Sequence, residues 1–151
     1  MKRYVLLTII FLLLLQIGCT FNQKEAPIVE EPEEPDRTIE VSMEDRAIID
    51  RSETLSDNVV ELFGIDDAAT IILNDTALVS VIMAYDSEFN DDTKNLIKET
   101  VLESDNEIKE VIISNDEKTF FQIVDIITDL MNGNSYDNYV NEISKLIEKS
   151  K

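Results

Sequence analysis

Residues 68–83 read AATIILNDTALVSVIM, two β-branched runs divided by Asn74-Asp75. Isoleucine, valine and threonine are stiff at χ1 and fit the pleated surface of a sheet better than the crowded turns of a helix. Asn and Asp tolerate the left-handed backbone that a tight turn needs. The stretch therefore predicts a β-hairpin, with strands at Ala69–Leu73 and Thr76–Ala84. A lone hairpin is marginal in water, so the rest of the chain must cover it.

Helical signals surround the hairpin. SMED, residues 42–45, is a capping box in which Ser42 pairs with Asp45. Ile48, Leu55, Val59 and Leu62 then mark one helical face through to Phe63, and Gly64 is a good stop. After the polar stretch DSEFNDD, residues 86–92, Asp92 or Thr93 opens a helix carrying Leu96, Ile97, Val101 and Leu102. Ile108–Ser114 predicts a third strand. SNDE, residues 114–117, is a second capping box, and it opens an apolar helix from Phe120 to Leu130 that Asn132-Gly133 closes. A last helix is expected from about Ser135 to Glu148, with Tyr136, Val140, Ile143, Leu146 and Ile147 on one face. The class is α+β, a small three-stranded sheet with helices packed on one face, in the order α-β-β-α-β-α-α.

The head of the chain has a different character. Lys2 and Arg3 precede an apolar run from Tyr4 to Leu15, and Gly18-Cys19 follows. A basic start, a short apolar run and a small residue before a cut make a secretory signal, too short to span a bilayer comfortably. Cys19 is the only cysteine in the 151 residues, so it has no disulfide partner within the chain. Gly-Cys at this point resembles a bacterial lipobox, although Gln16 stands three before the cysteine, where Leu is usual. The resemblance implies that Cys19 receives a diacylglyceryl group and becomes residue one. Residues 1–18 are then a lipoprotein signal peptide.

Residues 19–41 hold all three prolines and the cluster Glu30, Glu31, Glu33, Glu34 and Asp36. Proline and self-repelling charge favour an extended tether, able to reach up to roughly 75 Å when fully stretched. Residues 42–151 are left as a single α+β domain. The tether would lift that domain off the membrane.

Charge and composition exclude several functions. The net charge is −19, from 32 acidic and 13 basic residues. Nucleic acid is not an expected partner, because phosphate binding needs clustered Lys and Arg. The chain has no histidine, which removes Ser-His and Cys-His catalysis and the usual zinc sites. No cofactor and no catalytic residue is expected, and the protein is expected not to be an enzyme.

AATIILNDTALVSVIMAYD resembles the hairpin of the sporulation lipoprotein family YhcN/YlaJ, and the resemblance runs on through LIKETVLESDNEIKEVIISNDEKTFFQIVDIITDLMNGNSYDNYVNEISKLI. It covers about residues 55–147 and rests on the order of elements and on the Asn-Gly stop. No aromatic-Pro pair closes this chain, and the final helix is less basic than the family's. The resemblance implies a lipid-anchored protein on the extracytoplasmic face of the forespore or spore inner membrane, with a role in spore formation or germination. It carries over no catalytic residues. The element order also looks like the small ring-building or BON-type domains of envelope proteins, an analogy of fold alone.

Candidate sites are few. Asp86, Glu88 and Asn90 fall at positions 1, 3 and 5 of an EF-hand-like loop, but Asp91 stands where the loop needs Gly and Ile97 where it needs a bidentate Glu. These three residues are weak metal candidates, and a solvated loop with a helix cap explains them better. Asp66-Asp67 and Asp91-Asp92 are adjacent carboxylates, and adjacency in sequence shows neither positioning nor a shifted pKa. The leading reading is a non-enzymatic interaction module tethered to the membrane through Cys19, with protein partners in the spore envelope. The alternative is a small ligand- or cation-binding lipoprotein.

Overall fold

The structure is a computed structural model that describes residues 41–151. Cys19, the expected signal peptide and nearly all of the expected tether lie outside these residues. Helix α1 spans Met43–Val60, and strands β1 and β2 span Ile65–Leu73 and Thr76–Met83. Helix α2 spans Asp91–Ser104, strand β3 Glu110–Ser114 and helix α3 Glu117–Met131. A 3-10 turn at Tyr136–Asn138 precedes helix α4, Val140–Ser150. The expected class and order are present. Among the described residues, no helix is long and apolar enough to cross a membrane.

The strands lie in the order β1-β2-β3. β1 and β2 pair antiparallel, with Leu73 opposite Thr76. Asn74 takes φ 57°, the left-handed turn conformation. β2 pairs parallel with β3, Leu78 opposite Ile112. The parallel pair is joined through α2, as a parallel connection requires.

The helices were expected on one face, and the structure corrects this: they divide between two. Successive side chains of a strand point to opposite faces. Ala69, Ile71 and Leu78 enter one core with Phe120, Ile123, Ile126 and Leu130 of α3 and with Ile143, Leu146 and Ile147 of α4. Ala68, Ile72, Ala77, Val79 and Val81 enter a second core with Ile97 and Val101 of α2. α1 contributes Ile49 to the first core and Leu55 and Val59 to the second. It runs beside β1 and passes from one layer to the other. The physical reason is in β2, where Ala77 to Val81 are buried without interruption. A strand apolar on both faces needs cover on both.

The outer edge of β1 is covered in part. Pairing alternates outward from Leu73 and Thr76, so Ala68, Thr70 and Ile72 turn their backbone groups away from β2. The Tyr136 hydroxyl donates to the Ile72 carbonyl at 2.6 Å, and the Ala68 N–H donates to Asp67 Oδ1 at 2.9 Å. Such contacts leave fewer open groups for unwanted strand pairing.

The helix ends follow their local chemistry, with two caps shifted from expectation. Ser42 caps α1 and accepts from the Asp45 N–H at 3.0 Å, as predicted. Asn90, one residue before the first turn, caps α2 in place of Asp92 or Thr93. Asp116 caps α3 and accepts from the Thr119 N–H, while Ser114 accepts from the Asp116 N–H. Phe121, in the apolar helix expected from Phe120 to Leu130, is 53% exposed, because the helical period turns its neighbour Phe120 inward instead. α3 ends in a Schellman motif: Gly133 N–H donates to Leu130 O, Asn134 N–H donates to Asp129 O, and Gly133 takes φ 89°.

Candidate functional site

The polar stretch after β2 is built as a cap. Asp86 takes φ 67° and is exposed. Asn90 Oδ1 accepts from the Thr93 N–H at 3.0 Å and from the Thr93 hydroxyl at 3.1 Å, while the Glu88 carbonyl accepts from the same hydroxyl at 3.0 Å. Asn90 is therefore spent on the first turn of α2. Asp91 lies 3.6 Å from Lys94, whose ammonium sits 4.9 Å from the centre of the Phe89 ring. Among the described residues, no group of three or more metal-ligating side chains converges, at Asp86, Glu88 and Asn90 or elsewhere.

This arrangement carries a prediction about calcium. At constant ionic strength, added Ca²⁺ is expected to leave the melting temperature unchanged, and Asp86→Asn is expected to behave like the parent. A specific site would give stabilisation that grows as RT ln(1 + [L]/Kd) and disappears in Asp86→Asn. Thermal melts with and without Ca²⁺ decide between them.

Of the other carboxylates singled out in the sequence, Asp67 and Asp91 have local partners. Asp67 covers part of the β1 edge, and Asp91 and Asp92 occupy the first turn of α2, where the helix dipole favours them. In the Asn74-Asp75 turn, Asp75 accepts from Lys109 Nζ at 3.0 Å, and this hydrogen bond holds its carboxyl below the ordinary value. The Asp75 carbonyl also accepts from the Lys109 N–H at 2.7 Å, which ties the hairpin turn to the start of β3.

Tyr136 and Tyr139 fasten the C-terminal elements. Burial, with the Asp137 charge adding to it, pushes the Tyr136 hydroxyl up to about 12. The Tyr139 hydroxyl donates to Asp129 Oδ2 at 2.7 Å, and that hydrogen bond raises its pKa. Both tyrosines hold structure together; neither stands free as an acid or base.

Two depressions are lined by residues of both α1 and β1. One, about 1120 Å³, lies among the first turns of α1, the hairpin turn and the start of α4, and Glu44, Ile48, Arg51, Tyr136 and Val140 help to line it. A smaller cleft of about 440 Å³ lies between α1, β1 and α3. Ser52 and Thr70 line it, each 1% exposed, and their hydroxyls have no hydrogen-bond partner among the described residues. In neither depression does a nucleophile meet a base.

The least expected feature is at the open end of the hairpin. Phe63 is 98% exposed and Tyr85 is 92% exposed. Phe63 stood at the end of the predicted core face of α1, but α1 stops at Val60 and the chain turns before β1. The signal for its exposure is its neighbour: Gly64 takes φ 91°, so residue 63 sits on a turn.

The sporulation lipoprotein family YhcN/YlaJ matches residues 23–151. No curated protein matches the chain.

Proposed function

Since this chain belongs to the sporulation lipoprotein family YhcN/YlaJ, we propose that it is a lipid-anchored, non-enzymatic interaction module of the forespore or spore inner membrane, acting in spore formation or germination. The observation that carries this reading is the family match over residues 23–151, which begins four residues after Cys19. In the body of the protein, Asn90, Asp67, Asp75, Tyr136 and Tyr139 are engaged as a helix cap, strand and turn ties and an ion pair. That disposition suits a scaffold whose work is done by its surface.

The anchor follows from chemistry. A single acyl chain gives marginal, reversible binding, while two or more hold stably, at about 0.8 kcal/mol per buried CH₂. A diacylglyceryl thioether on Cys19 supplies two. The acidic body would be repelled by an anionic lipid surface, so attachment rests on the lipid.

Two measurements test the reading. Metabolic labelling with a fatty-acid probe should mark the wild type and not Cys19→Ala, which should accumulate as the unprocessed precursor. Equal labelling of the two would remove the anchor. A strain lacking the protein should be impaired in sporulation or germination, and a C-terminal fluorescent fusion should follow the forespore membrane. Normal sporulation and germination in that strain would remove the assigned process.

A further inference from the structure

We propose that the open end of the β1–β2 hairpin is a docking surface for a basic protein segment, seated on Phe63 and Tyr85. The proposal rests on the interaction-module reading and names the surface and the chemistry of the partner.

The first ground is exposure. Burying an aromatic of this size favours folding. This small domain buries Phe120 yet leaves Phe63 and Tyr85 almost fully in water. Both sit at one place. The Ala84 N–H donates to the Gly64 carbonyl at 3.0 Å, and each aromatic lies one residue beyond that bond.

The second ground is rigidity. Gly64 takes φ 91° and Asp86 φ 67°, so a left-handed turn flanks each aromatic. The Ser87 N–H donates to the Ala84 carbonyl at 3.0 Å. A Cβ added to Gly64 would lie 2.9 Å from Ser87 Oγ, so the two turns are in close contact. Aromatics on interlocked turns lose little freedom when a partner covers them, which is the economy of a preorganised site.

The third ground is charge, and it selects the occupant. Glu61, Asp66, Asp67, Asp86 and Glu88 are exposed around this end. The sequence has no Lys or Arg between Arg51 and Lys94, and Lys94 is engaged by Asp91 and Phe89. A segment bearing Arg or Lys fits on both counts: the carboxylates steer it, and the ring faces attract its cations. A second copy of this acidic chain would meet like charge, and so would an anionic membrane. α1 rises about 27 Å over its 18 residues, so the surface lies at the far end of that helix from Val41.

The test uses the full chain in mild detergent. The probes are a short peptide alternating Arg and Leu, its Glu-for-Arg counterpart, and vesicles of zwitterionic or anionic lipid. The Arg peptide should bind the wild type. The double variant Phe63→Ala/Tyr85→Ala should bind it at least about tenfold more weakly, the scale of hot-spot loss. High salt should weaken binding further. Met43→Ala, at the start of α1 and 90% exposed in the parent, should bind as the wild type does. Melting temperatures of all variants should match, since these side chains leave little burial to lose.

Full binding by the double variant would overturn the proposal, as would equal binding of the Glu peptide. Vesicle binding or self-association that depends on the two aromatics would overturn the assigned occupant. In cells, the double variant should reproduce the defect of the deletion strain. If the deletion is defective and the double variant is not, this surface is wrong while the interaction-module reading stands. If the deletion strain is normal, that reading itself fails.

Discussion

Leu78→Ala and Val79→Ala are each expected to destabilise the domain, although the two residues are adjacent on one strand. Both are fully buried, Leu78 in the core shared with α3 and α4, Val79 in the core shared with α2. Removing a buried leucine to alanine costs about 2–5 kcal/mol, the lost transfer energy plus the cavity left behind. Valine to alanine removes less and should cost about 2 kcal/mol on the same reasoning. A sheet covered on one face would tolerate one of the two changes. Urea unfolding at neutral pH separates the cases. A cost near zero for either variant would mean that one of the helical layers is not packed as described.

The second large effect is expected at Arg51 and Asp105, which tie α1 to the turn before β3. Asp105 Oδ2 accepts from Arg51 Nε at 2.8 Å, and Asp105 Oδ1 accepts from the Glu107 N–H at 2.9 Å. Arg51 Nη1 also meets Glu107 at 2.9 Å, while Nη2 is buried with no partner among the described residues. The Asp105 side chain is 13% exposed and that of Arg51 31%. Burial pushes the Asp105 carboxyl up, but the Arg51 hydrogen bond, the Glu107 N–H and the Arg51 charge outweigh it and hold the pKa below 3.8. Asp105→Asn should cost about 1–2 kcal/mol at pH 6, a charge-assisted bond reduced for partial exposure.

The sign of the pH dependence follows. A carboxyl with a depressed folded pKa stabilises the fold above its unfolded pKa of 3.8, and the contribution is lost as pH falls through the lower folded value. The gap between wild type and Asp105→Asn should therefore be full at pH 6 and close as the medium is acidified below about pH 4. A gap that stays constant with pH would show that the asparagine acts through packing and not through charge.

Much of the fold was legible because its signals are local. The β-branched runs gave two strands, and Asn74-Asp75 gave the turn between them. The Ser42 cap and the Asn132-Gly133 stop each depend on a few neighbouring residues. What escaped depends on more distant ones. β1 begins at Ile65, four residues earlier than expected, because pairing with β2 carries it through the exposed Asp66 and Asp67 and past an irregularity between Ile65 and Asp67. The cap of α2 is Asn90 and not Asp92 or Thr93, which depends on where the helix sets the Thr93 N–H. Cover on both faces was present in the sequence as the unbroken run Ala77-Leu78-Val79, but a small α+β chain was assumed to cover one. For the candidate site, a helix cap in the loop was legible, and the structure supplies it through Asn90. The exposure of Phe63 was not, since it depends on α1 ending at Val60.

The placement of β2 has a consequence for how the chain reaches this state. Its partner on one side is nine residues long and joined by a two-residue turn, a hairpin of the kind that forms in microseconds. Its partner on the other side arrives only after the loop and α2 have closed behind it, a slower and non-local event. Until then Thr76–Met83 presents an open edge. Its sequence, TALVSVIM, has no charge and no proline. Such a segment is a template for pairing with other copies. A chain made from its N-terminus exposes that segment before β3 follows. Truncation before Glu110 should therefore produce aggregates and not a soluble half-domain.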